Sequence, residues 1–251
     1  HLHAQSTGGE SPSSSSPGAW VCWSITTENP CHLPLRSVDM VSGNEAWAVG
    51  DLGAILHWVN GRWTVANSPT SRRLNAVTMV SARNGWAVGE NGTILRWDGN
   101  SWNSVRSPTT ATLYAVAMLN ANQGWAVGKD GVMLRWNNSQ WTAANSPTTN
   151  SLFSISLLST TDGWAVGDVG VILHWNGALW NLVASPTQST LNAIAMVSAN
   201  DGWIVGYMDV ALHWNGASWQ TVPIPSPNIL LNLKAIALVS ANDGWAISSS
   251  A

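Results

Sequence analysis

A unit of 39 residues, repeated along most of the chain, constrains the fold more than any other feature of this sequence. The motif Gly-Trp-Ala-Val-Gly at 85–89 recurs at 124–128 and 163–167, and related segments flank these three. Its tryptophan recurs in steps of 39 residues, with a last step of 42: Trp47, Trp86, Trp125, Trp164, Trp203 and Trp245. A fixed period of this size predicts an array of similar structural units that stack on one another.

Five units are complete and a sixth stops halfway; they begin at Leu35, Leu74, Leu113, Leu152, Leu191 and Leu233. The unit 74–112 contains four short segments with the alternation and residue types of β-strands. These segments are 74–80, 86–88, 93–97 and 102–105, and we interpret Asn84-Gly85, Glu90-Asn91-Gly92 and Asp98-Gly99-Asn100 as the turns between them. Four antiparallel strands in about 40 residues are typical of one blade of a β-propeller.

The two ends of the chain complement each other. The last unit supplies only two strands, while Trp23–Pro30 parallels the fourth-strand pattern of Trp63–Pro69. The sequence therefore predicts an all-β, six-bladed β-propeller of four-stranded repeats over 20–251, closed by a composite blade that combines residues near 20–27 with 233–249. Residues 1–19 form a Ser/Gly/Pro-rich tail outside this domain.

The 18 tryptophans fall into three columns of the repeat. A bulky aromatic residue that recurs at the same place in every unit is most simply the core between neighbouring blades. Positions that differ between units are then the candidates for function.

Two variable columns are candidate ligand or partner surfaces. The column after the leading Leu contains an aromatic pair, Tyr114 and Phe153, that forms a candidate contact patch. The column before the third-strand Trp is cationic or titratable in all five complete units: His57, Arg96, Arg135, His174 and His213. This second column forms either a ring of ligand-binding groups or a set of long side chains stacked on neighbouring indoles.

The repeated pattern Gly-Trp-Ala-Val-Gly-x-x-Gly-x-Ile-Leu-x-Trp resembles the repeats of photosystem II assembly-factor-like propellers and related sialidase-type (BNR-like) repeat proteins, over residues 35–250. The resemblance implies a propeller and a role in assembly, adhesion or binding. Two departures limit it. The turn after the third strand is the short Asn176-Gly177 or Asp98-Gly99, and the Ser-x-Asp-x-Gly-x-Thr-Trp box of sialidases is absent. No functional residue is carried over.

Charge and motif content exclude several classes of function. Ten Lys and Arg residues against 13 Asp and Glu give a net charge of −3 without a basic stripe, which argues against a nucleic-acid partner. No apolar run approaches the roughly 18–20 residues of a membrane span. No catalytic, phosphate-binding or metal-ligating motif is present, so we expect no enzyme, metal or cofactor. We interpret three aspartates that precede a glycine as turn formers: Asp162, Asp201 and Asp243.

Several signals favour an extracellular, processed protein. Cys22 and Cys31 are the two cysteines of the chain, and a disulfide between them is the economical interpretation. Asn91 and Asn137 lie in glycosylation sequons.

Three functions remain open. The first is an extracellular structural or adhesive subunit, whose N-terminal tail either joins copies into a filament or docks on its own propeller. The second is a carbohydrate-binding propeller, for which glycans are the partner. The third is an assembly-factor-like propeller that binds another protein.

Overall fold

The computed structural model describes residues 2–6, 34–224, 231–241 and 243–249. Cys22, Cys31 and the strand predicted near 20–27 lie outside the described residues. What is described is an all-β chain in which six sheets follow one another along the sequence.

Each of the first five sheets contains four antiparallel strands in sequence order. Sheet 1 contains β2 Leu35–Ser42, β3 Glu45–Gly50, β4 Ile55–Val59 and β5 Arg62–Val65. Sheet 2 contains β6 Leu74–Ser81, β7 Asn84–Gly89, β8 Ile94–Trp97 and β9 Trp102–Ser104. Sheet 3 contains β10 Leu113–Asn120, β11 Gln123–Gly128, β12 Met133–Trp136 and β13 Trp141–Ala144. The four-stranded repeat predicted from the sequence is confirmed in these five sheets.

The later sheets continue the series. Sheet 4 contains β14 Leu152–Ser159, β15 Asp162–Gly167, β16 Ile172–Trp175 and β17 Trp180–Val183. Sheet 5 contains β18 Leu191–Ser198, β19 Asp201–Gly206, β20 Ala211–Trp214 and β21 Trp219–Thr221. Sheet 6 has two strands from the last repeat, β22 Asn232–Ser240 and β23 Asp243–Ser249. A third strand, β1 Leu2–Ser6, pairs with β23 in parallel.

The sheets stack face to face, with the first strand of each sheet packed on the first strand of the next, from β2 on β6 to β18 on β22. Hydrogen bonds join these first strands: the Asp39 carboxylate accepts from the backbone N–H of Met79 at 2.6 Å, and Ser156 Oγ accepts from Met196 N–H at 3.3 Å. Burial raises the pKa of Asp39, while the hydrogen bonds that its carboxylate accepts from the backbone N–H groups of Met79 and Met40 oppose the rise. The first strands therefore form one continuous layer of the stack.

Tryptophan triads fill the space between consecutive sheets. Trp47 lies 4.6 Å from Trp97 and 5.4 Å from Trp102 between ring centroids, and the second contact is edge-on. Equivalent triads join sheets 2 to 3, 3 to 4 and 4 to 5. These triads confirm the core role predicted for the tryptophan columns at four interfaces. Edge-to-face aromatic pairs contribute about 0.5–1.5 kcal/mol each beyond the area they bury.

The Asn84-Gly85 pair is not a turn, as the sequence predicted, but the start of β7. The turn lies two residues earlier, at Ala82 and Arg83. Gly85 serves packing instead: a Cβ there would lie 2.3 Å from Met79 Sδ. An Asn-Gly pair marks a hairpin turn in some chains and, as here, a glycine on which a neighbouring side chain packs closely in others. The sequence alone does not distinguish the two.

Apolar residues at the two ends of the series are more exposed than their equivalents in the middle. Leu35 is 45% exposed, although Leu74 in the same column of sheet 2 is 0% exposed. Ile247 is 54% exposed, against 0% for Val49 in the same column of sheet 1. Within the described parts of the chain, no extensive packing joins sheet 6 to sheet 1. No helix among these residues is long and apolar enough to cross a membrane.

Candidate functional site

A row of turns between the second and third strands forms one surface of the stack, which we call the turn face. Four are 3-10 turns: Asp51–Gly53, Glu90–Gly92, Lys129–Gly131 and Asp168–Gly170. Residues 207–209 occupy the same place in sheet 5. Each turn lies against the start of the first strand, since Glu90 N–H donates to the Arg73 carbonyl at 2.9 Å and Lys129 N–H donates to the Thr112 carbonyl at 2.8 Å.

The central residue of each turn has a left-handed backbone. In sheets 2 and 3 this residue is Asn91 or Asp130, types that tolerate a positive φ. In sheets 1 and 4 it is Leu52, at φ 55°, and Val169, at φ 52°. A β-branched residue in this region is a backbone outlier. The turn face therefore contains strain at two positions where the repeat itself shows that a polar residue suffices.

These strained residues expose apolar side chains to solvent. Leu52 is 72% exposed and Val169 is 55% exposed, and in sheet 5 Tyr207 and Met208 are exposed as well. Met208 also has a positive φ, 59°. Exposed apolar groups that contribute nothing to the core, and that are held in a strained conformation, are more typical of a contact site than of ordinary surface.

The variable column that contains Tyr114 and Phe153 lies beside these turns. The second residue of each first strand falls at a shift of register, between Leu113 and Ala115 in β10 and between Leu152 and Ser154 in β14. A bulge of this kind re-aims the side chain that it carries. The two rings are half-buried and lie 5.2 Å apart between centroids. The structure thus brings together the two aromatic residues singled out from the sequence.

Ion pairs occupy the same face at sheets 1 and 2. Arg36 donates two hydrogen bonds to the Asp51 carboxylate, at 2.9 and 3.1 Å, and Arg73 lies 3.0 Å from the same carboxylate and 3.3 Å from Glu90. The Arg36 guanidinium holds the pKa of Asp51 below its usual value. Sheets 1 and 2 therefore form an ionic side of the turn face, although Leu52 is exposed there too. The exposed apolar residues of sheets 4 and 5 and the Tyr114–Phe153 pair form an apolar side, and the turn of sheet 3 between the two sides is charged, with Lys129 and Asp130 exposed.

The cationic column, His57, Arg96, Arg135, His174 and His213, lies away from the turns, on the third strands. His57 stacks on Trp47 with centroids 3.9 Å apart and planes 11° apart. The Arg96 guanidinium lies 5.3 Å from the Trp86 ring centroid, and Arg135 lies 5.7 Å from that of Trp125. The five residues are spread over five sheets and do not converge on one point.

Each histidine of this column binds a carboxylate. The distances are 3.1 Å from His57 Nε2 to Glu45, 3.0 Å from His174 to Asp162 and 3.0 Å from His213 to Asp201. Asp162 and Asp201, read from the sequence as turn formers, instead begin strands β15 and β19. Where the column has arginine, the equivalent position is the neutral Asn84 or Gln123. This paired variation is visible in the sequence only when positions twelve residues apart are compared.

The opposite surface consists of short hairpins held by amide and carboxylate side chains. Asn137 Oδ1 accepts from the N–H groups of Ser139 and Gln140, at 3.3 and 3.1 Å. Two backbone N–H groups bond Asp98 at 2.9 Å and lower the pKa of that carboxyl. A hollow of about 510 Å³ lies next to Asn137 and is lined by Asn120, Asn122, Gln123, Arg135 and Trp136. Both sequon asparagines, Asn91 and Asn137, are exposed.

Other chemistry is sparse in the described part of the chain. Its His, Cys, Asp and Glu residues form no cluster of three or more that fits a metal ion. The indoles between sheets 2 and 5 are mostly buried, for example Trp125, Trp175 and Trp180 at 4–5% exposure. Stacking on a sugar ring requires an exposed indole face, which these indoles do not offer; Trp245 on β23 is 51% exposed. The strongest feature is the apolar side of the turn face.

Comparisons with solved structures find the same fold. YCF48 bound to D1 peptide is 17% identical, with a TM-score of 0.51 over 86% of this chain and 89% of that chain. YCF48 from Cyanidioschyzon merolae is 17% identical, with a TM-score of 0.55 over 86% and 93%. U3-55K is 12% identical, with a TM-score of 0.70 over 84% and 73%. No family model and no curated protein matches the chain. These likenesses support a β-propeller fold.

Proposed function

We propose that this chain is a non-enzymatic, protein-binding propeller that holds an extended apolar segment of another protein on the turn face. The observation that carries the proposal is the exposure of Leu52 and Val169 in left-handed backbone conformation. Left-handed backbone costs a non-glycine L-residue roughly 1–2 kcal/mol. A contact outside the chain is the simplest reason to keep an exposed valine there.

The arrangement suits an extended chain better than a compact ligand. The apolar side chains of Val169, Tyr207 and Met208 belong to neighbouring sheets, and the half-buried rings of Tyr114 and Phe153 lie on the adjacent bulges. A segment that crosses several sheets in turn meets these groups one after another. The ionic side, with Arg36 and Arg73 near Asp51, offers polar contacts at one end.

The comparisons give the proposal independent support. One of the similar propellers is YCF48 in a complex with a peptide, so a peptide partner is compatible with this fold. This support is for the class of partner and not for its sequence. It favours the assembly-factor-like interpretation over a purely structural role.

A peptide selection tests the proposal. A display library of random 12-residue peptides is selected on the full chain, and the enriched peptides are measured by calorimetry. We expect apolar and aromatic sequences whose affinity falls at least fivefold in the Val169→Asn variant. Leu182→Asn is the matched control, since Leu182 is 59% exposed but lies on the outer strand β17. A selection that enriches nothing, or peptides indifferent to Val169→Asn, would contradict the proposal.

Further parts of the proposal concern residues outside those described. We take sheet 6 to be a composite blade in which N-terminal residues near 20–27 join β22 and β23, as the resemblance of Trp23–Pro30 to Trp63–Pro69 favours. We also take the protein to be extracellular with a Cys22–Cys31 disulfide. Thiol labelling of the unreduced, denatured chain tests the disulfide: two reactive thiols would overturn it. The glycan alternative is tested on a glycan array, where we expect no binding.

A further inference from the structure

Sheet 3 contains an arginine without the carboxylate partner that three other sheets provide. In sheets 1, 4 and 5 a carboxylate oxygen lies 3.0–3.1 Å from the histidine of the third strand. In sheet 3 the histidine is replaced by Arg135 and the acid by Gln123. None of the ion pairs formed among the described residues includes Arg135. This part of the chain therefore leaves the charge of Arg135 without a counter-ion.

Two buried indoles fix the position of the Arg135 guanidinium. Its central carbon lies 5.7 Å from the ring centroid of Trp125 and 5.6 Å from that of Trp175. Both indoles are buried, whereas Arg135 itself is exposed. Aromatic rings attract the cation, but the five N–H donors of a guanidinium still require oxygen acceptors. The arginine is thus held in place at the surface, with its donors available to a ligand.

The hollow beside Arg135, which we call the amide hollow, is lined by carboxamides at positions where other repeats have different residues. Asn120 replaces a serine of the other four complete repeats, and Asn138 replaces a glycine of sheets 2, 4 and 5. The replaced residues are Ser42, Ser81, Ser159 and Ser198 in the first column and Gly99, Gly177 and Gly216 in the second. Departures from a repeat that converge on one hollow are candidates for function.

The fold uses only the oxygens of these amides. Asn120 Oδ1 accepts a hydrogen bond from the Asn122 N–H at 2.8 Å, and Ser198 Oγ accepts the equivalent bond in sheet 5 at 3.2 Å. Asn137 Oδ1 is likewise occupied by backbone N–H groups of its own hairpin. Asn138 has a φ of 74°, a conformation that favours glycine. The NH2 groups of Asn120 and Asn137 are therefore left as hydrogen-bond donors beside Arg135.

We propose that the amide hollow binds a small organic acid, whose carboxylate pairs with Arg135 and whose other polar atoms accept hydrogen bonds from Asn120 and Asn137. The carboxylates of sheets 1, 4 and 5 are the internal precedent, since each pairs with the residue in the column of Arg135. A guanidinium bonds a carboxylate through two parallel N–H groups. The volume of about 510 Å³ is within the usual range of ligand pockets. The hollow lies opposite the turn face, so the site is separate from that of peptide binding.

The first experiment measures binding of small acids to the full chain by saturation-transfer NMR. The probes are glutarate, citrate and N-acetylaspartate, with glutaramide as the neutral control. We expect at least one acid to bind and glutaramide not to bind, and Arg135→Gln should weaken the binding at least tenfold. Arg96→Gln is the matched control and should weaken it less than twofold, because Arg96 contacts the Trp86 ring in the same column of sheet 2. Absence of binding by all three acids, or equal losses in the two variants, would overturn the inference.

A second experiment supplies the missing carboxylate from within the chain. Gln123→Asp places an acid beside Arg135, as Asp162 lies beside His174 in sheet 4, so we expect it to abolish acid binding without lowering the unfolding temperature. Asn84→Asp adds the same charge in sheet 2 and should leave the binding unchanged. A Gln123→Asp variant that binds the acids as tightly as the wild type would refute the site.

The remaining arms test the amides and the class of ligand. Asn120→Ser combined with Asn138→Gly restores residues that the fold uses in other sheets, so it should weaken acid binding at least threefold while the protein stays folded. Inorganic phosphate or a capped Gly-Asp-Gly peptide that binds more tightly than every free acid would show that the ligand is not a small organic acid. Val169→Asn should leave acid binding unchanged, so failure of this inference and failure of peptide binding on the turn face are separable.

Discussion

At the scale of single residues, the backbone of Val169 is held by the fold, while its exposed side chain belongs to the surface. The turn that contains it is fixed on both sides, because Asp168 N–H donates to the Ser151 carbonyl at 2.9 Å and Val171 N–H donates to the Asp168 carbonyl at 3.1 Å. These bonds hold the backbone at positive φ whichever side chain is present. The valine then adds strain to the turn and an apolar group to the surface.

Replacing Val169 with Asn, the residue at the equivalent Asn91, should stabilise the protein. We expect the free energy of unfolding to rise by about 1 kcal/mol, because Asn tolerates a left-handed backbone and Val does not. Urea denaturation measures this change. Asn91→Val is the reverse control and should destabilise by a similar amount. A loss of stability in Val169→Asn would show that the exposed side chain serves the fold and not a partner.

Asp39 is a second residue whose environment is unfavourable, because its carboxylate is partly buried. Other sheets place Thr, Ala or Ser in its column, and Ser156 makes the same bond to the next first strand through a hydroxyl. Burial raises the pKa of Asp39 in the folded state. The folded protein then holds this proton more tightly than the unfolded chain, so the carboxylate lowers stability at neutral pH and its protonation restores it.

Asp39→Ser should therefore stabilise the protein at pH 7, by an amount on the order of one net hydrogen bond, about 1 kcal/mol. The gain should shrink as the pH falls through the raised pKa of Asp39, because the wild type then becomes neutral at this site. Denaturation at several pH values between 7 and 4 measures the difference. A gain that grows on acidification would contradict the assigned direction of the pKa.

At the scale of strands and turns, the second strand ends on a glycine for a steric reason. A Cβ at Gly89 would lie 2.0 Å from the Arg73 carbonyl oxygen, and one at Gly167 would lie 2.0 Å from that of Ser151. Both glycines have extended backbone, so space and not conformational freedom requires them. The last residue of the Gly-Trp-Ala-Val-Gly motif thus fixes the turn face against the first strand.

Gly89→Ala should destabilise the protein by about 2–4 kcal/mol, in the range of changes that force backbone to move. Gly43→Ala is the matched control, since nothing lies within 4 Å of a Cβ there, and it should change stability by less than about 0.5 kcal/mol. Thermal and urea unfolding compare the two. Equal effects would mean that the close approach at Gly89 relaxes without cost.

The strands could be predicted from the sequence because their signal is periodic and local. Alternation and the repeated tryptophans placed the beginning of nearly every first strand, from Leu35 to Leu191. The prediction of a turn at Asn84-Gly85 was wrong, because the sequence does not distinguish a glycine in a turn from a glycine that packs against the Met79 side chain. Asp162 was misread because its partner, His174, is twelve positions away on another strand.

At the scale of the whole molecule, the sequence predicted the stacking of the sheets but not the turn face. Stacking could be predicted because Trp47, Trp86 and their equivalents recur at the same position of each repeat, and so indicate the same kind of interface between each pair of sheets. The turn face depends on departures from the repeat, such as Val169 at a position of positive φ. Local propensity argues against that conformation, so only the structure reveals the exposed apolar surface.

Hydrogen–deuterium exchange with a bound peptide tests whether the turn face is the site of protein recognition. Full chain is compared with and without the tightest peptide from the display selection. We expect slowed exchange at residues 168–170, 207–209 and the strand beginnings at Tyr114 and Phe153. Protection confined to the opposite hairpins, around Asp98 and Asn137, would contradict it.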